Sequence, residues 1–409
     1  MTNLPTVHVF ETNALGHHPF FLAWLLTDPP RERLWILHTT AAVRAHPVLT
    51  ILLSQPHPAV HVIDIPRCPE EPQRKSTRAL LAYICGKASA FRRSWRRHAH
   101  PGDVAFIPSY DEFAVVYACF PWLTSGMSFT TIGMRAQFHQ QRQGIVTASH
   151  QRGARLKEFL LRRVLLRSEF KFYLTNQLPL KQDVDRHWGA LARKVRFYPD
   201  PAAEAHILEP AEARRQLGLP SECRLVLCYG SLTDRKGIDY LLNALEDPAW
   251  PAHTAAICAG RYREGVQALL TSVRAKNLVR LGKLHLREGF VSDERENLLF
   301  QAATAVWLVY DGHDAMSGCL VQAGMHRRPV IGCANGLIQW YLTTSRGGVV
   351  YRPAQQAASV AAVAALVTDS QACAQAGERL HEQFQDHTLA VFRACIYAAI
   401  QNKTEPKTW

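Results

Sequence analysis

Basic residues stand where an apolar strand pattern gives way to a helix pattern near the middle of the chain. Arg235-Lys236-Gly237 follow the strand-like segment Leu225–Tyr229 and precede the helix-like segment Ile238–Leu245. A strand–loop–helix turn of this kind presents backbone N–H groups and the positive end of a helix dipole to an anion. Lys236 adds a compact charge that suits a diphosphate. The segment therefore predicts an anion site, with a solvated basic turn as the alternative interpretation.

A second segment combines acidic and small residues after the strand-like Ala305–Val309. Asp314 is followed by Ser317-Gly318, where a helix is predicted to start, and by Gln322, eight residues after Asp314. Small residues at a helix start leave the first amides free for a phosphate. If the helix began close to Asp314, Asp314 and Gln322 would lie about two turns apart on one side of it. They would then line a single crevice.

The order and spacing of these blocks over Arg224–Tyr351 resemble the carboxy-terminal half of the glycosyl transferases group one family. The matching blocks are Gly230 with Arg235-Lys236-Gly237-Ile238, Gly289–Glu294, and Asp314 with Gln322-Ala323, Met325 and Pro329-Val330-Ile331. This is a retaining family of nucleotide-sugar glycosyltransferases, and the amino-terminal half resembles it only in general layout. The resemblance implies a GT-B α/β fold, with two Rossmann-like β/α/β domains facing a central cleft. It also implies hexosyl transfer from a UDP- or GDP-linked donor, with retention and without a metal or cofactor.

Residue roles follow from the same resemblance. Lys236 would contact the donor diphosphate and neutralise the leaving group. The amides of Ser317 and Gly318 would hold the distal phosphate, and Phe290 and Val291 would lie near the nucleobase. We expect the acceptor to be a glycan, a glycolipid or a lipid-linked precursor.

Three positions depart from the family pattern. Asp314 stands where the family has a Glu near the donor sugar, and Gln322 stands where a second Glu grips the ribose hydroxyls. Ser231 replaces an Arg expected directly after Gly230, and Arg235 is the candidate to substitute for it. Gln322 can still hydrogen-bond a ribose, but without charge. Because both acidic residues are replaced, a non-catalytic module that binds a nucleotide sugar or a partner remains an alternative function.

The turn Asn13–Pro19 follows the first predicted strand, Thr6–Phe10. Ligands of open α/β sheets bind at the carboxyl ends of the strands, so Gly16 is expected near the donor phosphates. His17 or His18 would contact the sugar or acceptor. The GHHP string also resembles the loop of inverting GT-B enzymes in which a His is the general base. The alternative interpretation is that the two histidines only cap the following helix and lie on the surface. Weaker candidates for the same region are Arg135 and His139.

The formal net charge, 47 − 34 = +13, is concentrated in two blocks. Residues 74–100 carry eight Lys or Arg and no acid, and residues 152–171 carry seven against two acids, which accounts for the whole excess. Within each block, apolar residues such as Phe91, Trp95 and Phe159 are interspersed among the basic residues. This pattern predicts helices at an anionic membrane surface, with packing inside the domain as the alternative. No nucleic-acid motif accompanies the charge, so no nucleic-acid partner is expected.

Strand and helix patterns alternate in both halves, which indicates parallel βαβ units. Further strands are predicted at Leu34–His38, Val60–Ile65, Val104–Ile107, Lys171–Thr175, Thr254–Ala259 and Pro329–Gly332. Helices are predicted over Gly265–Lys276 and Ser370–Gln401. The proline-rich Tyr198–Pro210 predicts a linker between an acceptor domain, 1–200, and a donor domain, 201–385. Residues 386–409 are predicted as a final helix that crosses back to the first domain. The D-x-D at Asp183 and Asp185 is interpreted as a solvated helix face rather than a metal site. No secretory pattern and no apolar run of bilayer length is present, so we expect a cytoplasmic protein, peripheral on the membrane.

Overall fold

Two parallel β-sheets, each accompanied by helices, form the framework of the protein. The computed structural model describes residues 5–55, 58–65, 67–72, 76–147, 153–404 and 406. The predicted α/β class is therefore confirmed. The alternation of strand and helix in the sequence accounts for this class, because two adjacent parallel strands need a crossover connection and a helix normally forms that connection.

The first sheet has seven strands in the order β3-β2-β1-β4-β5-β6-β7. All five residues of the interior strand β1 are buried, as expected for a parallel strand covered on both faces. In register, Val7 of β1 pairs with Trp35 on one side and Val104 on the other. The strands are β1 (Thr6–Phe10), β2 (Leu34–Thr39), β3 (Val60–Asp64), β4 (Val104–Ile107), β5 (Phe129–Ile132), β6 (Phe170–Thr175) and β7 (Val195–Phe197).

The helices between these strands bury an aromatic-rich core that includes Phe91, Trp95, Phe113 and Tyr117. Two 3₁₀ turns accompany them, at Pro121–Thr124 and Gly189–Lys194. The helices are α1 (His18–Leu26), α2 (Ala41–Arg44), α3 (Pro47–Ser54), α4 (Thr77–His98), α5 (Tyr110–Cys119), α6 (Ala154–Leu165) and α7 (Leu178–His187).

The second sheet has six strands in the order β10-β9-β8-β11-β12-β13. Its strands are β8 (Arg224–Tyr229), β9 (Thr254–Gly260), β10 (Leu284–Glu288), β11 (Ala305–Leu308), β12 (Val330–Gly332) and β13 (Gly348–Val350). The helices that follow the first sheet are α8 (Pro210–Gln216), α9 (Ile238–Glu246), α10 (Glu264–Leu270), α11 (Val273–Arg280), α12 (Asp293–Ala302), α13 (Gly318–Met325), α14 (Gly336–Ser345), α15 (Gln356–Thr368), α16 (Ser370–Phe384) and α17 (Leu389–Ile400).

The chain divides into two compact units. The first comprises the described residues of Met1–His139, Arg152–Tyr198 and Ala390–Trp409, and the second those of Gln140–Gln151 and Pro199–Leu389. Within the first unit, α17 packs on α1: Arg393 Nε donates to the carbonyl of Trp24 at 2.6 Å, and Tyr397 Oη donates to that of Leu25 at 2.6 Å.

Three predictions about elements were wrong. The helix predicted at Gly265–Lys276 is two helices, because Ser272 accepts a hydrogen bond from the Ala275 amide and starts a new one. The predicted helix Ser370–Gln401 is likewise interrupted between α16 and α17. Asp183 does not lie on a solvated face, since it is fully buried beside His187 on α7.

No single helix of the described residues is long and apolar enough to cross a bilayer; Pro353–Thr368 and Ser370–Ile400 meet that test only together, as a pair bent by 94°. Within the same described part of the chain, no group of three or more His, Cys, Asp or Glu side chains lies close enough to hold a metal ion.

Candidate functional site

Lys236 is presented by a tight turn between β8 and α9. The residues Asp234–Lys236 form a 3₁₀ turn, and Gly237 then adopts the left-handed conformation with φ +61°. A Cβ atom on Gly237 would lie 2.0 Å from the carbonyl oxygen of Val309. Only glycine fits there, and this close approach of the turn to the end of β11 fixes where the lysine side chain can reach.

The Lys236 side chain is buried, with only 6% of the residue exposed. Its Nζ donates to the hydroxyl of Tyr310 at 2.6 Å and to the carbonyl of Tyr229 at 3.2 Å, and it lies 3.7 Å from Cys319 Sγ. All three partners are neutral. A buried ammonium is costly unless an anion compensates it, so these contacts orient a positive charge without neutralising it.

The start of α13 faces the same space. Ser317 occupies the N-cap position, yet its side chain makes no capping hydrogen bond. The first amides of the helix, from Gly318 onward, are therefore not satisfied by the cap and carry the positive end of the helix dipole. Amides in this arrangement bind a phosphate well.

A cavity of about 350 Å³ in the second unit brings the two elements together. Five predicted site residues line it: Arg235, Lys236, Ser317, Gly318 and Gln322. The other lining residues are Pro201, Tyr229, Glu296, Tyr310, His313, Met316 and Cys319. The cavity thus joins the two anion-binding segments that the sequence placed about eighty residues apart.

Four predicted donor residues are not among those that line this cavity. Asp314 is 7% exposed, and its Oδ1 accepts from Asn335 Nδ2 at 3.2 Å. Because α13 begins at Gly318, four residues after Asp314, the condition for Asp314 and Gln322 to share one side of the helix is not met. Ser231 is exposed, Val291 is partly exposed, and Phe290 is 78% exposed, with the Arg261 guanidinium 5.9 Å from its ring centre.

Arg235 is oriented by a neighbouring histidine. Its Nη1 donates to His313 Nδ1 at 3.3 Å, and His313 Nε2 donates to the carbonyl of Met316 at 3.3 Å. Burial and the Arg235 charge lower the pKa of His313 to about 4. The imidazole is therefore neutral at physiological pH and can accept from Arg235, which leaves a second cation at the cavity wall.

The structure adds a residue pair that sequence reasoning missed. The Tyr229 hydroxyl donates to Glu296 Oε2, and both side chains line the cavity. Burial raises the pKa of Glu296, against the lowering effect of the Tyr229 hydrogen bond. Opposite this carboxylate group, Gln322 Oε1 is buried and has no hydrogen-bond donor among the described residues. In the sequence, Glu296 looks like one more of the acids that favour a helix start.

The first unit contains a larger cavity, of about 1040 Å³, at the carboxyl ends of its strands. Three of the residues predicted for this region, His17, His18 and Arg135, line it. Gly16 is exposed in a left-handed turn with φ +64° and is not part of the lining, and His139 is fully buried away from it.

A buried carboxylate holds one of the two histidines. Glu11 Oε2 lies 2.7 Å from His18 Nδ1, and Ser109 Oγ donates to the same oxygen at 3.3 Å. Glu11 Oε1 accepts the amides of Thr12 and Asn13, each at 2.8 Å. An ionised carboxylate only accepts, so Nδ1 of His18 carries the proton and Nε2 is the basic nitrogen.

The electrostatics of this pair favour an ionised Glu11. Burial by itself raises the pKa of Glu11, but the His18 hydrogen bond, the Asn13 amide and the Lys87 charge outweigh it, and the pKa is lowered. The neighbouring His17 ring stacks on His18 at 4.6 Å, and burial lowers the pKa of His17 to about 4. Glu11 was missed because it is a single acidic residue directly after an apolar strand, with no spacing that links it to His18.

No protein-family model matches the sequence, and no curated protein matches it by sequence. Solved structures match over nearly the whole chain. Sucrose-phosphate synthase from Thermosynechococcus elongatus has a TM-score of 0.65 at 15% identity, over 97% of each chain. HepE from Anabaena, in complex with UDP and glucose, has a TM-score of 0.60 at 15% identity, over 97% of this chain and 100% of HepE. WaaG, a glycosyltransferase involved in lipopolysaccharide biosynthesis, has a TM-score of 0.57 at 14% identity, over 97% and 98%.

The fold is GT-B. Both sheets take part in the likeness, since the matches cover nearly all of this chain. In this GT-B chain the Lys236 cavity belongs to the carboxy-terminal unit, and the Glu11–His18 pair belongs to the amino-terminal unit.

Proposed function

We propose that the protein is a glycosyltransferase that uses a nucleotide-diphosphate sugar and is a divergent relative of the group one family. The observation that carries this proposal is the cavity in which the uncompensated Lys236 ammonium meets the uncapped start of α13. A diphosphate would supply an anion, which the three contacts of Lys236 described above do not include. The GT-B fold and the similarity to HepE, whose structures contain UDP and UDP-glucose, support the same assignment.

The cavity residues would act mainly on the leaving group. When the sugar–phosphate bond breaks, negative charge grows on the departing diphosphate, and preoriented donors that meet this charge lower the barrier. Lys236, Arg235 and the amides at Gly318 supply such donors. Glu296 and Gln322 present acceptors that suit the hydroxyls of a ribose.

The donor is proposed to be UDP- or GDP-linked, with UDP favoured by the HepE complexes. The acceptor is proposed to be a glycan, a glycolipid or a lipid-linked precursor, which the cavity of the first unit would receive. Retention of the anomeric configuration is the outcome that the family resemblance supports.

Release of nucleoside diphosphate from a panel of UDP- and GDP-sugars tests the proposal. We expect turnover of at least one donor, and we expect Lys236→Ala to abolish it. Lys276→Ala is the matched control, because Lys276 is an exposed lysine of the same unit outside the cavity. Tight donor binding without turnover, in the presence of glycan and lipid-linked acceptors, would instead identify a non-catalytic module.

An inverting reaction is the second candidate, and the Glu11–His18 pair favours it. Glu11 holds the proton on Nδ1, so that Nε2 of His18 can take the proton of an acceptor hydroxyl as its oxygen bonds to the anomeric carbon. As that bond forms, the bond from the anomeric carbon to the diphosphate oxygen breaks, and the nucleoside diphosphate leaves from the opposite face with the bonding electrons. Proton NMR of the first-formed product separates the two: a retained anomer supports the family mechanism, and an inverted anomer that requires His18 supports this one.

A further inference from the structure

Exposed apolar side chains of the first unit are concentrated on one group of helices. Seven of the ten exposed large apolar residues described in that unit lie on α4, on α5 with its following 3₁₀ turn, or on α6 with its C-cap. The most exposed of these form what we call the apolar ridge: Val115 at 43%, Trp122 at 56%, Leu156 and Phe159 at 58%, and Leu166 at 73%. Soluble surfaces rarely gather large apolar groups without a partner.

Two arginines, one on α6 and one just after its C-cap, tie this helix to α5 and to the 3₁₀ turn that follows α5. Arg163 Nε donates to the carbonyl of Ala118 at 2.9 Å, and Arg167 Nη2 donates to that of Pro121 at 3.2 Å. These two bonds set the register of α6 against α5 and the 3₁₀ turn.

Two pairs of ridge residues follow from this register. Phe159 lies one helical turn before Arg163, and Val115 lies one turn before Ala118. Leu166 and Trp122 stand directly beside Arg167 and Pro121 in the chain. Phe159 and Leu166 are thus each matched by an exposed apolar residue of the α5 segment, and Leu156 extends the ridge along α6.

The charge around the ridge is positive. Arg155 and Lys157 are exposed on α6, and Arg93, Arg96 and Arg97 are exposed on α4. The acids of these helices are already engaged: Glu158 pairs with Arg162 at 3.1 Å, Glu112 pairs with the buried Lys87 at 2.7 Å, and Asp111 accepts the Met134 amide at 2.7 Å.

The structure also corrects the predicted membrane blocks. Phe91 and Trp95 are buried in the core and cannot insert into lipid, so these aromatic residues of the first block do not face outward as the pattern suggested. Arg74, Lys75 and Arg152 lie outside the described residues. What remains is a basic α4 and an apolar and basic α6, with α5 packed against both.

We propose that the apolar ridge docks on an anionic lipid surface, with the arginines and lysines of α4 and α6 contacting the head groups. A lipid surface fits because exposed apolar side chains can enter the head-group boundary while long basic side chains reach its phosphates. Charge complementarity favours this partner, because the face offers cations and no unpaired acid of these helices. The inference concerns the surface alone and does not depend on the transfer reaction.

Vesicle flotation of the full chain tests the proposal. We expect binding to vesicles of phosphatidylcholine mixed with phosphatidylglycerol, weaker binding as salt rises, and little binding to pure phosphatidylcholine. The ridge variant Leu156→Glu/Phe159→Glu should reduce the partition by about tenfold or more. The matched control is Phe20→Glu/Ile51→Glu, which places the same two charges on exposed apolar residues of α1 and α3.

Circular dichroism and an unchanged Tm confirm that both double variants fold. The proposal is overturned if the ridge variant floats as well as the control does, or if the native chain binds neither vesicle. It is equally overturned if the chain forms a dimer that only the ridge variant dissolves, because a second copy then covers this face.

Discussion

The electrostatics of the Lys236 cavity depend on how single side chains are paired. Lys236 contacts two oxygens and a sulfur that are all neutral, whereas the buried Lys87 of the first unit has its own carboxylate, Glu112, at 2.7 Å. The comparison separates a structural lysine from one whose charge is left for a ligand. Local sequence alone cannot make that distinction, because both lysines lie in ordinary helical or turn segments.

Glu296 offers a test at the residue scale. We expect Glu296→Gln to weaken binding of a ribonucleoside diphosphate by about tenfold or more, because hydrogen bonds to a charged group contribute roughly 1.5–3 kcal/mol each. Binding of inorganic pyrophosphate, which has no ribose, should not change. Calorimetric titration with UDP, GDP and pyrophosphate measures both.

Glu294→Gln is the control for this prediction, since Glu294 is exposed on the same helix and lies outside the cavity lining. Equal losses for pyrophosphate and nucleotide would show that Glu296 supports the cavity generally and does not contact the ribose.

The predicted residues that line the Lys236 cavity are those that follow from local rules. A lysine after a strand and small residues at a helix start predicted Lys236, Ser317 and Gly318 without reference to the rest of the chain. Tyr229–Glu296 joins residues 67 apart, a contact that only the packing of α12 beside β8 creates. Glu11 and His18 are only seven apart, but their meeting depends on the turn between β1 and α1.

Elements position these side chains through a few tight turns. Gly237 lets the chain turn from the 3₁₀ turn into α9 against the carbonyl of Val309, and α13 begins where Ser317 leaves its amides uncapped. Most strands were predicted to within a residue or two, because buried parallel strands are short apolar runs. Helix breaks were missed where a polar cap such as Ser272 interrupts an otherwise helical pattern.

Substitution of Gly237 tests the turn. We expect Gly237→Ala to lower the free energy of unfolding by about 1–3 kcal/mol more than Gly282→Ala does, because only Gly237 has a backbone oxygen in the place of the new methyl group. Both glycines have left-handed φ, +61° and +69°, so the conformational strain is matched. Urea unfolding monitored by fluorescence gives the two values. Similar losses for the two variants would mean that the contact with Val309 does not restrain the turn.

At the scale of the whole molecule, both units bury neutral histidines. In the first, His8 donates to Asp103 at 3.1 Å and accepts from His38 at 2.8 Å, and His38 in turn accepts from Ser94 at 2.9 Å. Burial lowers the pKa of His38 to about 3 and, in the second unit, lowers those of His326 and His387 to about 4. No sequence pattern predicts that these histidines are buried, because their burial depends on how helices pack on the assembled sheets.

These histidines predict acid sensitivity. Their pKa values lie below the unfolded value of 6.5, so the unfolded chain binds more protons between that pH and the folded pKa. Stability is then fully present above pH 6.5 and falls as the pH drops toward 4. Protonation linked to each such histidine should lower the free energy of unfolding by about 2 kcal/mol between pH 7 and pH 5. Urea titrations at the two pH values measure the loss, and a stability that stays constant would contradict the neutral assignment.

The central claim is that the cavity around Lys236 binds the diphosphate of a nucleotide-sugar donor. Thermal unfolding of the native chain and of Lys236→Ala with a panel of nucleoside diphosphates and their sugars tests it most directly. At about 100 times the dissociation constant, the right ligand should stabilise the native chain by about 2.7 kcal/mol, and Lys236→Ala should lose that stabilisation. A native chain that responds to no nucleotide, or a Lys236→Ala variant that responds equally, would contradict the account.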